Sequence, residues 1–169
     1  MPTHQGGFIL DGGVHFTAGL RYLLGSNGHI TQVSAFTTLI KDYLPPVDTV
    51  NAILKANTGA QGTLQVSMGT HGPAPEWTVG CEKGSVSVGD SSVTVRMADG
   101  QEHVDKIENE RSGVPPEVRL WAKALAGGKV NPEQSPSQAL ADLELVSDSF
   151  RWYRTCILTI VDRLNGRSN

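Results

Sequence analysis

Apolar positions recur along this chain in two different rhythms. Near the start, Phe8, Ile9 and Leu10 form a short apolar run that breaks at Asp11; Gly12 and Gly13 follow, and apolar periodicity resumes through Leu20, Leu23 and Leu24 to Gly25. The pattern predicts an extended strand over 8–10, a tight turn, and a helix beginning at or just after Asp11. Ser26, Asn27 and Gly28 are turn formers, and the β-branched residues of 30–40 predict a strand. Pro45 and Pro46 interrupt the pattern before a second extended run over 47–55. After a polar, Gly-containing stretch, Leu64, Val66 and Met68 alternate with Thr63, Gln65 and Ser67, which predicts a hairpin with one half-buried face. Residues 77–80, 85–88 and 92–97 alternate again, with turns at Gly89 and Asp90 and at Asp99 and Gly100.

The period then changes. Pro115, Pro116 and Glu117 predict a helix start, Val118, Trp121 and Leu125 fall on one face, and Gly127 and Gly128 end the segment. Ser135 as N-cap with Pro136 at the first helical position predicts another helix, whose inward stripe is Leu140, Leu143 and Val146 or Ser147. Consecutive short strands followed by helices predict an α+β fold: a largely antiparallel or mixed sheet with helices packed on one face and the other face open.

Composition adds limits rather than a function. The chain has 169 residues, 38% hydrophobic and 18% charged, a one-domain length able to bury a core. Its 14 basic and 17 acidic residues leave a net charge of -3, so no basic excess invites nucleic acid or an anionic membrane. Cys81 and Cys156 lie far apart without metal-ligand spacing, and free thiols in a reducing compartment are the expected state. The N-terminal residues have neither a basic nor an apolar region of signal-peptide type, and the apolar run 156–161 is far shorter than the roughly 18 residues of a membrane span, so a cytoplasmic location is expected.

Candidate chemistry centres on Asp11 and His15. Four residues apart on a helix, they share a face, where a carboxylate bonded to one imidazole nitrogen fixes the tautomer and leaves the other nitrogen to take or give a proton near neutral pH. Gly12 and Gly13 each cost a helix about 0.5 to 1 kcal/mol relative to alanine, which points to close approach of a ligand or of another piece of chain. The ordinary alternative is N-cap and turn chemistry for Asp11 and the glycines and a satisfied core position for His15, and spacing alone favours it. His71, in a loop with Gly72, Pro73 and Pro75, is expected to be solvent-exposed, and His4, His29, His71 and His103 show no spacing that would complete a metal site with Asp11 and His15.

The run from Gly6 through Gly7, Phe8, Ile9, Leu10, Asp11, Gly12, Gly13 and Val14 to His15, the following 20–25, and Val33, Ser34 and Ala35 resemble the opening of the C-terminal domain of the Gfo/Idh/MocA family. These are NAD(P)-dependent oxidoreductases of the glucose-fructose oxidoreductase and inositol dehydrogenase type. Residues 48–68 resemble the family's sheet segment, 79–86 its recurring Gly-turn-strand element, and 114–145 its closing helices. The resemblance implies that residues 1–147 form the substrate-binding and oligomerisation domain, with 148–169 a divergent tail. It also implies that His15 is the catalytic base with Asp11 beside it, that Gly12 and Gly13 border the substrate, and that the open sheet face makes a homodimer. The substrate implied is a sugar, polyol or related carbonyl compound.

Two departures shape that expectation. No two glycines are separated by a single residue, so no G-x-G-x-x-G dinucleotide fingerprint exists, and the family's nucleotide-binding half, with its catalytic lysine, is not expected within these residues. Lys83, between Glu82 and Gly84, is expected to be a turn residue. NAD or NADP would therefore bind the full-length enzyme and not this chain alone, which would be inactive by itself. A non-catalytic dimerisation or binding module derived from the same domain is the alternative reading.

Overall fold

The computed structural model describes residues 7–26, 28–72, 75–108, 110, 113–150 and 158–159, with side chains of 148–150 and 158–159 excepted. Its elements in order are α1 (Gly7–Leu24), β1 (Ile30–Thr38), β2 (Thr49–Ala56), β3 (Gln61–Ser67), β4 (Trp77–Cys81), β5 (Gly84–Val88), β6 (Ser92–Met97), β7 (Glu102–Lys106), α2 (Val114–Ala126), a 3-10 turn (Pro132–Gln134), α3 (Pro136–Phe150) and β8 (Leu158–Thr159). The α+β class stands, but the strands divide between two four-stranded antiparallel sheets, ordered β3-β2-β1-β8 and β4-β5-β6-β7. The chain forms two compact units, one of Met1–Gly72 with Leu140–Asn169, the other Pro73–Ala139.

In the first unit, strict alternation builds the core. Val50, Ala52 and Leu54 of β2 are buried on one face and pair in register with Val66, Leu64 and Gly62 of β3 on one side and Thr37, Ala35 and Val33 of β1 on the other. Ile9 of α1 and Leu145 and Val146 of α3 close over this face. The opposite face carries Gln32, Ser34, Asn51, Lys55, Thr63 and Gln65, all exposed, together with two large apolar side chains, Phe36 and Ile53.

Two sequence expectations fail here, each for a tertiary reason. Residues 8–10 are not a strand: helix α1 begins four residues before Asp11, because Ile9, Gly13 and Thr17, one helical turn apart, make the buried stripe of a single helix. A short apolar run is equally compatible with strand and buried helix, and burial decides. The inward stripe of α3 is also shifted in phase. Val146 is buried as expected and Leu145 is buried beside it, while Leu140 and Leu143 are 53% and 40% exposed. Asp142 lies on the inward face, where its carboxylate pairs with Arg21 of α1 and its carbonyl faces the Thr17 hydroxyl.

At positions 12 and 13 the nearest neighbours are side chains, close but not backbone. A Cβ on Gly12 would lie 3.2 Å from the Phe8 ring and 3.6 Å from the Met68 methyl, and one on Gly13 3.3 Å from the Ile9 side chain, so no neighbouring backbone stands in the way. Gly7 is different. It has φ 63°, and a Cβ there would come within 2.3 Å of the Pro45 carbonyl oxygen, so the start of α1 fits tightly against the cis Pro45-Pro46 bend.

That bend is held from below by Asp48, which is fully buried. Its carboxylate accepts from the backbone N–H of Lys41 at 2.7 Å, from that of Ile40 at 3.0 Å and from the Thr49 hydroxyl at 3.0 Å. Its backbone links β1 and β3, donating to the Thr38 carbonyl and accepting from Met68 N–H. Burial alone would raise the Asp48 pKa, but the donors from Lys41, Ile40 and Thr49 outweigh it and hold the carboxyl below its ordinary value. Gly69 leaves the space this carboxylate occupies, since a Cβ there would meet it at 2.5 Å.

The second unit is a meander. Trp77, Val79, Val86, Val88, Val93 and Val95 share one face through aligned cross-strand pairs, with Thr78, Ser85, Ser87 and Thr94 on the other. Strand β7 was not foreseen, because all five of its residues are exposed and most are polar. Lys83 sits in the β4-β5 turn, as expected. Helix α2 begins at the anticipated proline pair and ends at Gly127, followed by Gly128 with φ 61°. Its Val118, Trp121 and Leu125 face is more than half exposed.

Two measurements test this account. A lowered carboxyl pKa contributes stability above the unfolded value, near 3.8, and that contribution is lost as pH falls through the lower folded value. Chemical denaturation should therefore show a stability loss in acid that Asp48→Asn flattens, and Asp48→Ala should cost about 2 kcal/mol at neutral pH through unsatisfied donors. Gly13→Ala should leave Tm unchanged or raise it, whereas Gly13→Leu should cost about 1 to 3 kcal/mol by overpacking; a large loss for the alanine variant would contradict the packing described.

Candidate functional site

Helix α1 presents Asp11 and His15 on one face, four residues apart, both exposed. The stripe Ile9, Gly13 and Thr17 turns inward, which forces residues 8, 11 and 15 toward solvent by helical periodicity. No hydrogen bond or ion pair joins Asp11 to His15 among the described residues. Neighbouring positions at this spacing have Cβ atoms about 5 to 6 Å apart, so side-chain rotation alone brings carboxylate and imidazole together. Gly12 is half-buried on the same turn and Gly13 is buried.

Asp11 also borders an open cleft of about 550 Å³ between the first turn of α1 and the loop 42–45. Phe8 and Asp11 form one wall; Asp42, Tyr43, Leu44 and Pro45 form the other. His15 lies one helical turn beyond Asp11 and is not part of the lining. The loop wall is fixed at both ends. Asp48 grips the amides of Ile40 and Lys41, the Leu44 N–H donates to the Lys41 carbonyl at 2.9 Å, and Pro45 abuts Gly7.

Asp42, Tyr43 and Asp48 carry no motif, and the prolines beside them read only as an interruption. The usable signal was an aspartate directly before a β-branched strand start, Asp48 ahead of Thr49 and Val50, where a short acidic side chain commonly bonds nearby amides. His71 is exposed in its loop, and Cys81 is an exposed free thiol, while Cys156 and His4 lie outside the described residues. Among the described residues no three His, Cys, Asp or Glu side chains are grouped to hold a metal. Nor do these residues fit a dinucleotide, because both sheets are antiparallel and no strand leads through a Gly-rich turn into a helix N-terminus.

Comparison with known proteins agrees with this architecture. Residues 1–87 match the model of the GFO/IDH/MocA C-terminal domain. The dehydrogenase FPY6 of Fusarium mangiferae is 35% identical over 150 residues, covering 86% of this chain and 43% of that protein. An oxidoreductase from Thermotoga maritima superposes with a TM-score of 0.79 at 27% identity, over 94% of this chain and 46% of that one. An oxidoreductase from Agrobacterium radiobacter, solved with NAD+, L-tartaric acid and magnesium, superposes with a TM-score of 0.73 at 17% identity, over 90% and 49% respectively. The chain thus spans about half the length of these relatives. On its fold and its matched residues it belongs to the GFO/IDH/MocA oxidoreductases and corresponds to their C-terminal domain.

Proposed function

We propose that this chain supplies the substrate-binding and proton-transfer half of an NAD(P)-dependent oxidoreductase acting on a sugar, polyol or related carbonyl compound. The observation that carries the reading is the exposure of Asp11 and His15 on one face of α1, with Asp11 at the edge of an open cleft, on a helix packed over the sheet. In a complete enzyme NAD or NADP, held by residues outside this domain, supplies the redox chemistry.

What this chain contributes is the proton. The His15 imidazole removes the hydroxyl proton of the alcohol, or returns it to the carbonyl oxygen in the reverse direction, and Asp11 selects the tautomer and steadies the ring. Gly12, half-buried on this turn, leaves the helix surface low beside these groups, and substrate approach is the reason we assign to it; Gly13 turns inward to the sheet, where its small size serves packing. Because the described residues offer no strand-turn-helix dinucleotide site, we assign cofactor binding to the complete enzyme and expect the domain alone to be inactive.

Association is assigned to the outer face of the first sheet, where Phe36 and Ile53 are 82% and 64% exposed amid mostly uncharged polar neighbours and a single lysine, Lys55. A two-fold pairing of this face would bury both and make a homodimer. No helix among the described residues is long and apolar enough to cross a membrane, and we place the protein in the cytoplasm. A second reading, a non-catalytic dimerisation or binding module, draws on the same sheet face and on the absence of a bond between Asp11 and His15.

Joining the chain to a nucleotide-binding domain from a family member should restore turnover of a polyol with NAD or NADP. His15→Ala should then lower kcat about 100-fold or more, as loss of a general base does; unchanged turnover removes His15 from the mechanism and leaves the module reading. Independently, sedimentation of the chain should give a dimer mass, and Phe36→Asp combined with Ile53→Asp should give a monomer with unchanged circular dichroism. An unaltered mass would move the interface elsewhere.

A further inference from the structure

Strand β7 is the last in the order β4-β5-β6-β7, with no neighbouring strand on its outer edge among the described residues, and all five of its residues are exposed. Its phase against β6 decides which backbone groups that edge offers. The Met97 N–H donates to the Gln101 carbonyl and the Ile107 N–H to the Ser91 carbonyl, each at 2.8 Å. Antiparallel bonding alternates along a strand, so 101, 103, 105 and 107 bond inward to β6, while Glu102, Val104 and Lys106 turn their N–H and C=O groups outward. An open edge of this kind is a template for another strand.

The side chains select which strand. Charged residues commonly block pairing at an edge, but the order Glu-His-Val-Asp-Lys over 102–106 is complementary to its own reverse. When two copies pair antiparallel about a two-fold axis at Val104, Glu102 lies opposite Lys106 of the other copy. His103 then lies opposite Asp105, a carboxylate that can accept from the imidazole. Every outward residue meets another outward residue, as the ladder requires. Moving the axis to His103 or to Asp105 sets two imidazoles or two carboxylates against each other and gives up the ion pairs.

The contacts within the chain are compatible with this register. The Arg96 Nε donates to Glu102 at 2.7 Å, and the His103 Nε2 lies 2.9 Å from the Asp105 carboxylate. Pairing leaves Glu102 between two cations, Arg96 and Lys106 of the other copy, and His103 between two carboxylates. The edge strands β3 and β4 carry no charged residue and so no such pattern.

We infer that β7 is a two-fold interface between copies of this chain, joining two four-stranded sheets into one by edge pairing centred on Val104. This contact is separate from the association assigned above to Phe36 and Ile53, and it does not depend on the oxidoreductase reading. At high concentration, a chain with two such isologous contacts assembles past a dimer.

The edge is tested alone in the Phe36→Asp, Ile53→Asp variant, followed by sedimentation and by NMR of its amides. A monomer when dilute, this variant should dimerise as its concentration rises, because an edge contact is small and weak, and the amide shifts should centre on Glu102, Val104 and Lys106. Lys106→Glu should weaken the association about tenfold, since both symmetry-related pairs become repulsive. Adding Glu102→Lys, which restores opposite charges with the signs exchanged, should recover most of it. Val104→Pro, whose lost N–H faces away from β6, should abolish it with circular dichroism unchanged. A monomer at every concentration, shifts centred away from β7, or an effect of Lys106→Glu that Glu102→Lys does not reverse would each overturn the inference. No cofactor or turnover enters, so failure here is separable from failure of the oxidoreductase reading, which the His15→Ala experiment decides in the joined enzyme.

Discussion

The first unit depends on one carboxylate removed from water and repaid with donors. Asp48 is inaccessible to solvent, yet it stays ionised because the Ile40 and Lys41 amides and the Thr49 hydroxyl converge on it. A single side chain thereby stitches the end of β1, the following loop and the start of β2, while its own backbone reaches β3. Residues 41–43 of that loop are themselves exposed, so it is held at its ends, by Asp48 at the start and by the fit of Pro45 against Gly7 at the close. The geometry of the cleft follows from that grip.

Above the sheet, the core is built from modest side chains. Ala35, Ala52 and Ala56 alternate with Val33, Val50 and Leu54, and Gly13 and Thr17 face them from α1. Small residues on both sides let the helix lie close to the sheet. The same placement turns Asp11 and His15 outward without any special device, so exposure of the candidate site is a by-product of how the helix is seated.

Much of this was legible before any coordinates. Alternation in β3 put Leu64, Val66 and Met68 on the inward face, Pro115 and Gly127 bracketed α2, and the spacing of Asp11 and His15 put them on a common helical face. The family resemblance, carried by the same opening run, is confirmed by the matched residues. What could not be read was decided by contacts distant in sequence. Residues 8–10 look like a strand until Ile9 is seen in line with Thr17. Leu140 and Leu143 look like the inward stripe of α3 until the Arg21 partner of Asp142 sets the helix phase. Asp48 offers only a local signal, an aspartate ahead of a β-branched strand start, because most of its donors lie on a loop whose path depends on the bend at Pro45 and Pro46.

The pairing of Arg21 with Asp142, 121 positions apart, has a consequence for how the protein is made. As the nascent chain leaves the ribosome, α1 and the first three strands are complete long before Leu145 and Val146 exist to roof their apolar face. That face must wait, covered by α1 alone, through synthesis of the whole intervening meander and α2. Closing so distant a contact carries a loop entropy that local helices and hairpins do not. The vulnerable interval for this chain is thus translational, and a chaperone that shields Val33, Val50 and Leu54 until α3 emerges would act at the step where misassociation has most time to occur.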